Sequence, residues 1–164
     1  KEKVQDAVVS GRLIKYSYKN KDDLNLPIKL SYDYEGKNFL SKAGRMRVLP
    51  QFASFDTSAV AKEARRYPLE LGQPNVNESF FDIELPENFS LKYLPDTVNS
   101  LSPWLDCLMS YTLEGRHLKM YQRWVQKTRQ VPKDEYRAFK KFAEDLAIKL
   151  DEHIVLEQSD GQKK

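Results

Sequence analysis

Cysteine is almost absent from this chain. Among 164 residues only Cys107 is a cysteine, so no intramolecular disulfide can form. A lone cysteine also says nothing about redox compartment. Histidine is nearly as scarce: His117 and His153 are the only two. Neither stands at metal-ligand spacing from a Cys or a second His. Six glycines and eight prolines exclude collagen-like and low-complexity sequence. No apolar run approaches the ~20 residues a membrane helix needs, so no membrane span is expected. No secretory signal segment opens the chain, which starts at Lys1 and not at Met. The missing initiator reads as the mark of a cut-out domain or a processed piece. No Gly-rich phosphate loop and no Gly-x-Ser-x-Gly elbow is present.

What is present is enough for one ordinary domain. Hydrophobic residues make 40% of the chain, too many for a disordered tail. The net charge is +3. Basic excess lies in residues 1–72 and 116–149, and acidic excess in 73–115. Most charges alternate with apolar residues, as on the wet face of a sheet. A nucleic-acid footprint clusters on one face, so no nucleic-acid partner is expected.

The dominant period is two. Ile14, Tyr16 and Tyr18 alternate with Lys15, Ser17 and Lys19. Ile28, Leu30, Tyr32 and Tyr34 alternate with Lys29, Ser31 and Asp33. Such strands lay one face on a core and the other in water. Glu35-Gly36 fits a tight turn, and a third strand is expected near Asn38–Val48. Residues 50–77 lose the alternation. Asp56, Thr57 and Ser58 could cap a short helix over Ala59–Arg65. Phe81, Ile83 and Leu85 form one arm and Phe89, Leu91 and Tyr93 a second, with Pro86-Glu87-Asn88 turning the chain. The clearest hairpin places Leu105, Cys107, Met109, Tyr111 and Leu113 on one face. Glu114-Gly115 turns it, and Leu118, Met120 and Trp124 line the return.

At Pro132 the period changes. Tyr136, Phe139, Phe142, Ala143, Leu146 and Leu150 recur at three- and four-residue steps. That pattern is an amphipathic helix over about 132–150, with Pro132 suited to its first position. His153–Leu156 reads as a final strand, and Gln158–Lys164 as a frayed tail. The expected fold is mainly β: an antiparallel β-sandwich-like domain of about seven to nine strands over residues 1–157, with that helix packed on it. Tyr136, Phe139, Phe142 and Leu146 should be buried.

Cys107 and His117 are the obvious candidates for nucleophile and base. On the hairpin just drawn, Cys107 faces inward with Leu105 and Met109, while His117 faces opposite to Leu118. Cys107 therefore reads as a small buried hydrophobe. Asp22-Asp23 precedes Asn25, but the spacing of a calcium loop is absent. Nine Tyr and eight Phe could form a stacking platform. Most lie on an apolar phase, so core packing is expected. Arg45-Met46-Arg47 and Arg65-Arg66 read as solvated surface or local ion pairs. No catalytic residue, cofactor site or metal site is expected.

One ordered string of motifs remains. Arg65-Arg66-Tyr67-Pro68-Leu69 leads to Gly72, then to Phe81–Phe89 and Leu94-Pro95. The hairpin follows, then Val131–Tyr136, then Phe139 and Phe142. This order resembles the C-terminal β-rich domain, of unknown function, of bacterial multi-domain transglutaminase-like proteins, over about residues 60–156. The resemblance implies a parent protein with a papain-like catalytic core upstream, exported to the periplasm or cell surface. That core carries the family's Cys, His and Asp, and none maps onto this chain. The expected function is a non-catalytic accessory domain that supports or positions the upstream core or a partner. The alternative is an independent binding module for a glycan, a peptide or a cell-surface protein. An enzyme using Cys107 is the third possibility.

Overall fold

A computed structural model describes residues 11–36 and 40–159 of the chain. Strands β1 (Gly11–Lys19) and β2 (Lys29–Gly36) pair antiparallel. Leu13 sits opposite Tyr34, Tyr16 opposite Tyr32 and Tyr18 opposite Leu30, with a bulge between Leu13 and Lys15. Opposed residues share a face, so one side of the ribbon is tyrosine and leucine. The other side carries the Arg12–Glu35 and Lys15–Asp33 ion pairs.

The tyrosine face does not lie on a core, as the alternation led us to expect. Among the described residues the ribbon pairs with no other strand. Tyr16 is 64% exposed and Tyr18 54%. The physical reason is simple. Period two reports a ribbon with two unlike faces, but not what covers the apolar one.

The remaining strands build two four-stranded antiparallel sheets. One runs in the order β6 (Asn75–Glu84), β10 (His117–Gln126), β9 (Leu105–Glu114), β8 (Val98–Ser100). The other runs β3 (Ser41–Ala43), β4 (Met46–Val48), β12 (Val155–Gln158), β7 (Phe89–Tyr93). Their inner faces meet over Leu49, Leu118, Met120, Ile154 and Leu156, with Phe81, Ile83, Phe89 and Leu91 packed around them. A small pair, β5 (Leu69–Glu70) with β11 (Gln130–Val131), completes the set.

The β9–β10 hairpin follows the alternation closely. Leu105, Cys107 and Met109 are buried, as are Leu118 and Met120. Glu114 pairs with His117 across the loop Gly115–Arg116, where Gly115 takes φ +61°. That conformation is cheap only for glycine. Gly44, at φ +62°, does the same between β3 and β4, so the expected third strand is two short ones. Its expected first residues, Asn38 and Phe39, lie outside the described residues.

Other boundaries shift. The two arms on either side of Pro86 do not pair with each other. β6 pairs with β10 and β7 with β12, so the turn passes the chain from one sheet to the other. The helix expected over Ala59–Arg65 is a single 3-10 turn, Ser58–Val60. Thr57 stands at its N-cap without a side-chain bond, and Asp56, one residue earlier, accepts from the Ser58 N–H at 2.8 Å. Helix α1 spans Tyr136–Leu150 and not 132–150. The Glu135 N–H donates to the Pro132 carbonyl at 3.1 Å, closing a turn ahead of the helix. β12 includes Gln158, and the Ser159 N–H donates to Asn88, so order extends past the expected tail boundary. Among the described residues twelve strands stand where seven to nine were expected. The surplus consists of two- and three-residue pieces, too short to show a period.

Helix α1 docks through Tyr136, Phe139, Ala143, Leu146 and Leu150, all at most 4% exposed, while Phe142 is half-buried. Trp104 meets Phe139 edge-on at 5.5 Å and donates its Nε1–H to Glu135 at 2.7 Å. The Tyr136 hydroxyl donates to the Lys62 carbonyl at 2.7 Å, and Lys140 donates to the Val60 carbonyl at 2.9 Å. These bonds hold the 58–66 connection onto the helix.

Candidate functional site

Cys107 sits on β9 opposite Trp124 and is 1% exposed. Burial pushes its thiol up to about 11, so it is protonated at neutral pH. His117 lies at the turn end of β10, opposite Glu114, with its Nδ1 2.8 Å from the Asp82 carboxylate. It is on the outer face of the sheet, and Cys107 is on the inner one. The structure therefore does not bring the two together. His153 places Nδ1 2.8 Å from the Asp151 carbonyl. Asp23 accepts from the Asn25 N–H at 2.9 Å in the loop between β1 and β2. Among the described residues no three of His, Cys, Asp or Glu form a group that could hold a metal ion. No helix among them is long and apolar enough to cross a membrane.

The basic doublets have local partners. Arg47 bonds the Gly44 carbonyl and Gln158. Arg65 donates to the Ala59 carbonyl at 2.7 Å and lies over the Tyr136 ring at 5.3 Å.

Three surfaces remain. The first is the tyrosine face of the ribbon. Tyr16 and Tyr18 meet edge-on at 6.1 Å, and Tyr32 and Tyr34 lie tilted by 31° at 5.9 Å. Burial, and then the neighbouring Tyr32, raise the Tyr34 phenol above its ordinary value. The second is the outer face of the β6–β10–β9 sheet, where Phe80 and Tyr121 pack at 4.7 Å and Phe80 is 70% exposed. The third is a cavity of about 390 Å³ on the inner side of the same sheet, lined by Phe55, Leu71, Leu105, Trp124, Asn75 and Asn77 among others. Phe55 stacks on Trp124 at 6.0 Å and 16°.

Sequence reasoning missed these surfaces. The ribbon tyrosines were expected in the core. Phe55 falls in the segment without alternation, and Phe80 sits on the polar phase of its strand. A large aromatic on a polar phase is the one signal that could have marked Phe80.

A family model described as a domain of unknown function with a solved structure, DUF3858, matches residues 44–156, and the chain belongs to that family. The ribbon lies outside the matched segment. The fold is similar to a crystal structure of a "putative protease" from Parabacteroides distasonis ATCC 8503, at 16% identity and a TM-score of 0.52. The match covers 68% of this chain and 23% of that one, so this chain spans less than a quarter of that protein's length. At that identity the likeness is one of fold. No curated protein matches the sequence.

Proposed function

We propose that this chain is a non-catalytic accessory domain of a longer, exported, transglutaminase-like protein. Its task is to support or position the catalytic core, or a partner of that core, at the periplasm or cell surface. One observation carries the reading: on the tyrosine face of the β1–β2 ribbon, Tyr16 and Tyr18 are 64% and 54% exposed, while the family domain has a well-packed core. A lone two-stranded ribbon is marginally stable in water and needs something to pack against. Tyrosines presented on such a face suit contact with a protein surface, since each offers a broad ring and a polar end. The motif order and the partial span of the similar solved protein support a parent chain with further domains.

The patch is modest. Two short strands offer much less than the ~800 Å² per partner of a typical free-standing interface. A contact of that size is effective when the partner is tethered, because tethering raises the local concentration. This favours the parent's own core over an independent ligand. The coding sequence around Lys1 and Lys164 tests the reading. A neighbouring papain-like core with its Cys, His and Asp supports it, and a gene that encodes no such core overturns it.

A further inference from the structure

The strand edges differ in how they are guarded. An edge strand offers a row of unpaired N–H and C=O groups, and native edges are usually short, bulged, lysine-bearing or covered. β1 has a bulge with Lys15 and Lys19, and β2 opens on Lys29. β3 is three residues long and contains Lys42, and β7 contains Lys92. β8 is three residues long, with Val98 and Ser100 buried. β6 is neither short, bulged nor lysine-bearing, and the charges it carries are the carboxylates of Glu78, Asp82 and Glu84. Its ten residues, NVNESFFDIE, include no Lys, Arg, Pro or Gly and pair with β10 in unbroken register. Its other edge pairs with no strand among the described residues.

Two further observations lie beside that edge. Asn75 and Asn77, on the inner face of β6, line the 390 Å³ cavity together with Trp124, which sits opposite Asn77. A strand added at this edge would set its alternate side chains over that apolar hollow. The outer face of β6 carries Glu78, Asp82 and Glu84 and no cation. These are held from the β10 side by Arg123 at 3.0 Å, His117 at 2.8 Å and Arg116 at 2.7 Å. Each carboxylate keeps acceptor capacity for a Lys or Arg on an added strand. A second copy of β6 would bring two carboxylate-bearing strands together, which charge opposes.

We propose that the β6 edge is a strand-addition site for an extended segment of a partner protein. That segment carries apolar or aromatic side chains on the cavity side and Lys or Arg at the alternate, outward positions. Main-chain hydrogen bonds supply affinity, and the cavity and carboxylates supply choice. The site is separate from the ribbon and does not rest on the accessory role.

The test is an anisotropy titration of the full chain at low salt with labelled peptides KVKYKVK and EVEYEVE. The basic peptide should bind about tenfold more tightly. Hydrogen exchange should show new protection within Asn75–Glu84. The variant E78K/D82K should reverse the preference, and N77K, at an exposed position, should weaken the basic peptide while leaving the fold intact by circular dichroism. Equal binding of both peptides overturns the proposal. So does protection elsewhere, or a free chain that is already a dimer protected along β6.

Discussion

At the scale of single residues, burial decides what Cys107 and Phe139 do. Phe139 is 2% exposed, edge-on to Trp104, on the inward face of α1. Phe139→Ala should cost about 3–5 kcal/mol, read as a lower urea midpoint. A loss under ~1 kcal/mol would mean the helix is not docked this way. Cys107 raises a pH question. The folded state keeps this thiol protonated up to about 11, against an ordinary value of 9.0. Stability from that difference is full below pH 9 and is lost as pH rises through 11. Between pH 8 and 11 the wild type should lose about 2–3 kcal/mol more than Cys107→Ser. Equal losses would show that the thiol titrates normally. The placement of Cys107 was legible in the sequence, because five alternating residues of one strand pin its face. The cavity was not. Phe55 meets Trp124 only through folding of a segment that has no period of its own.

At the scale of elements, length governs legibility. The ten-residue strands β9 and β10 and the helix were visible because each repeats its pattern several times. β5, β8 and β11 were invisible because two or three residues carry no period. The two arms around Pro86 show a different failure. Nearness in sequence suggested a hairpin, whereas the inner faces of β6 and β7 belong to opposite sheets. The β1–β2 ribbon is the most informative error. Its alternation reads as plainly as that of β9, yet a bulge interrupts it after Leu13, and Tyr16 and Tyr18 stay exposed. Tyr16→Lys with Tyr18→Lys should therefore change the stability of the chain by no more than ~0.5 kcal/mol. A calorimetric melt showing a loss of several kcal/mol would mean that the ribbon packs on the domain after all.

At the scale of the whole molecule, two sheets and one helix share an apolar interior in which Cys107 and Tyr136 are the buried titratable side chains among the described residues. The sheets meet over leucine, isoleucine and methionine, and α1 closes the open side with Phe139, Ala143 and Leu146. Two features stand out at the surface: an aromatic ribbon and a long strand edge without lysine. Fold class and the helix were readable from pattern alone. What the surfaces contact was not, because a sequence pattern describes a face without describing its cover.

The central claim is that the tyrosine face of the ribbon is an interface. Hydrogen exchange of residues 11–36 tests it most directly, compared between this chain alone and the longest natural polypeptide that carries it. Alone, the ribbon amides should exchange with little protection while β9 and β10 stay protected. In the longer polypeptide, protection over 11–36 should rise at least about tenfold, a coupling of ~1.4 kcal/mol or more. Equal protection of the ribbon in both would contradict the claim.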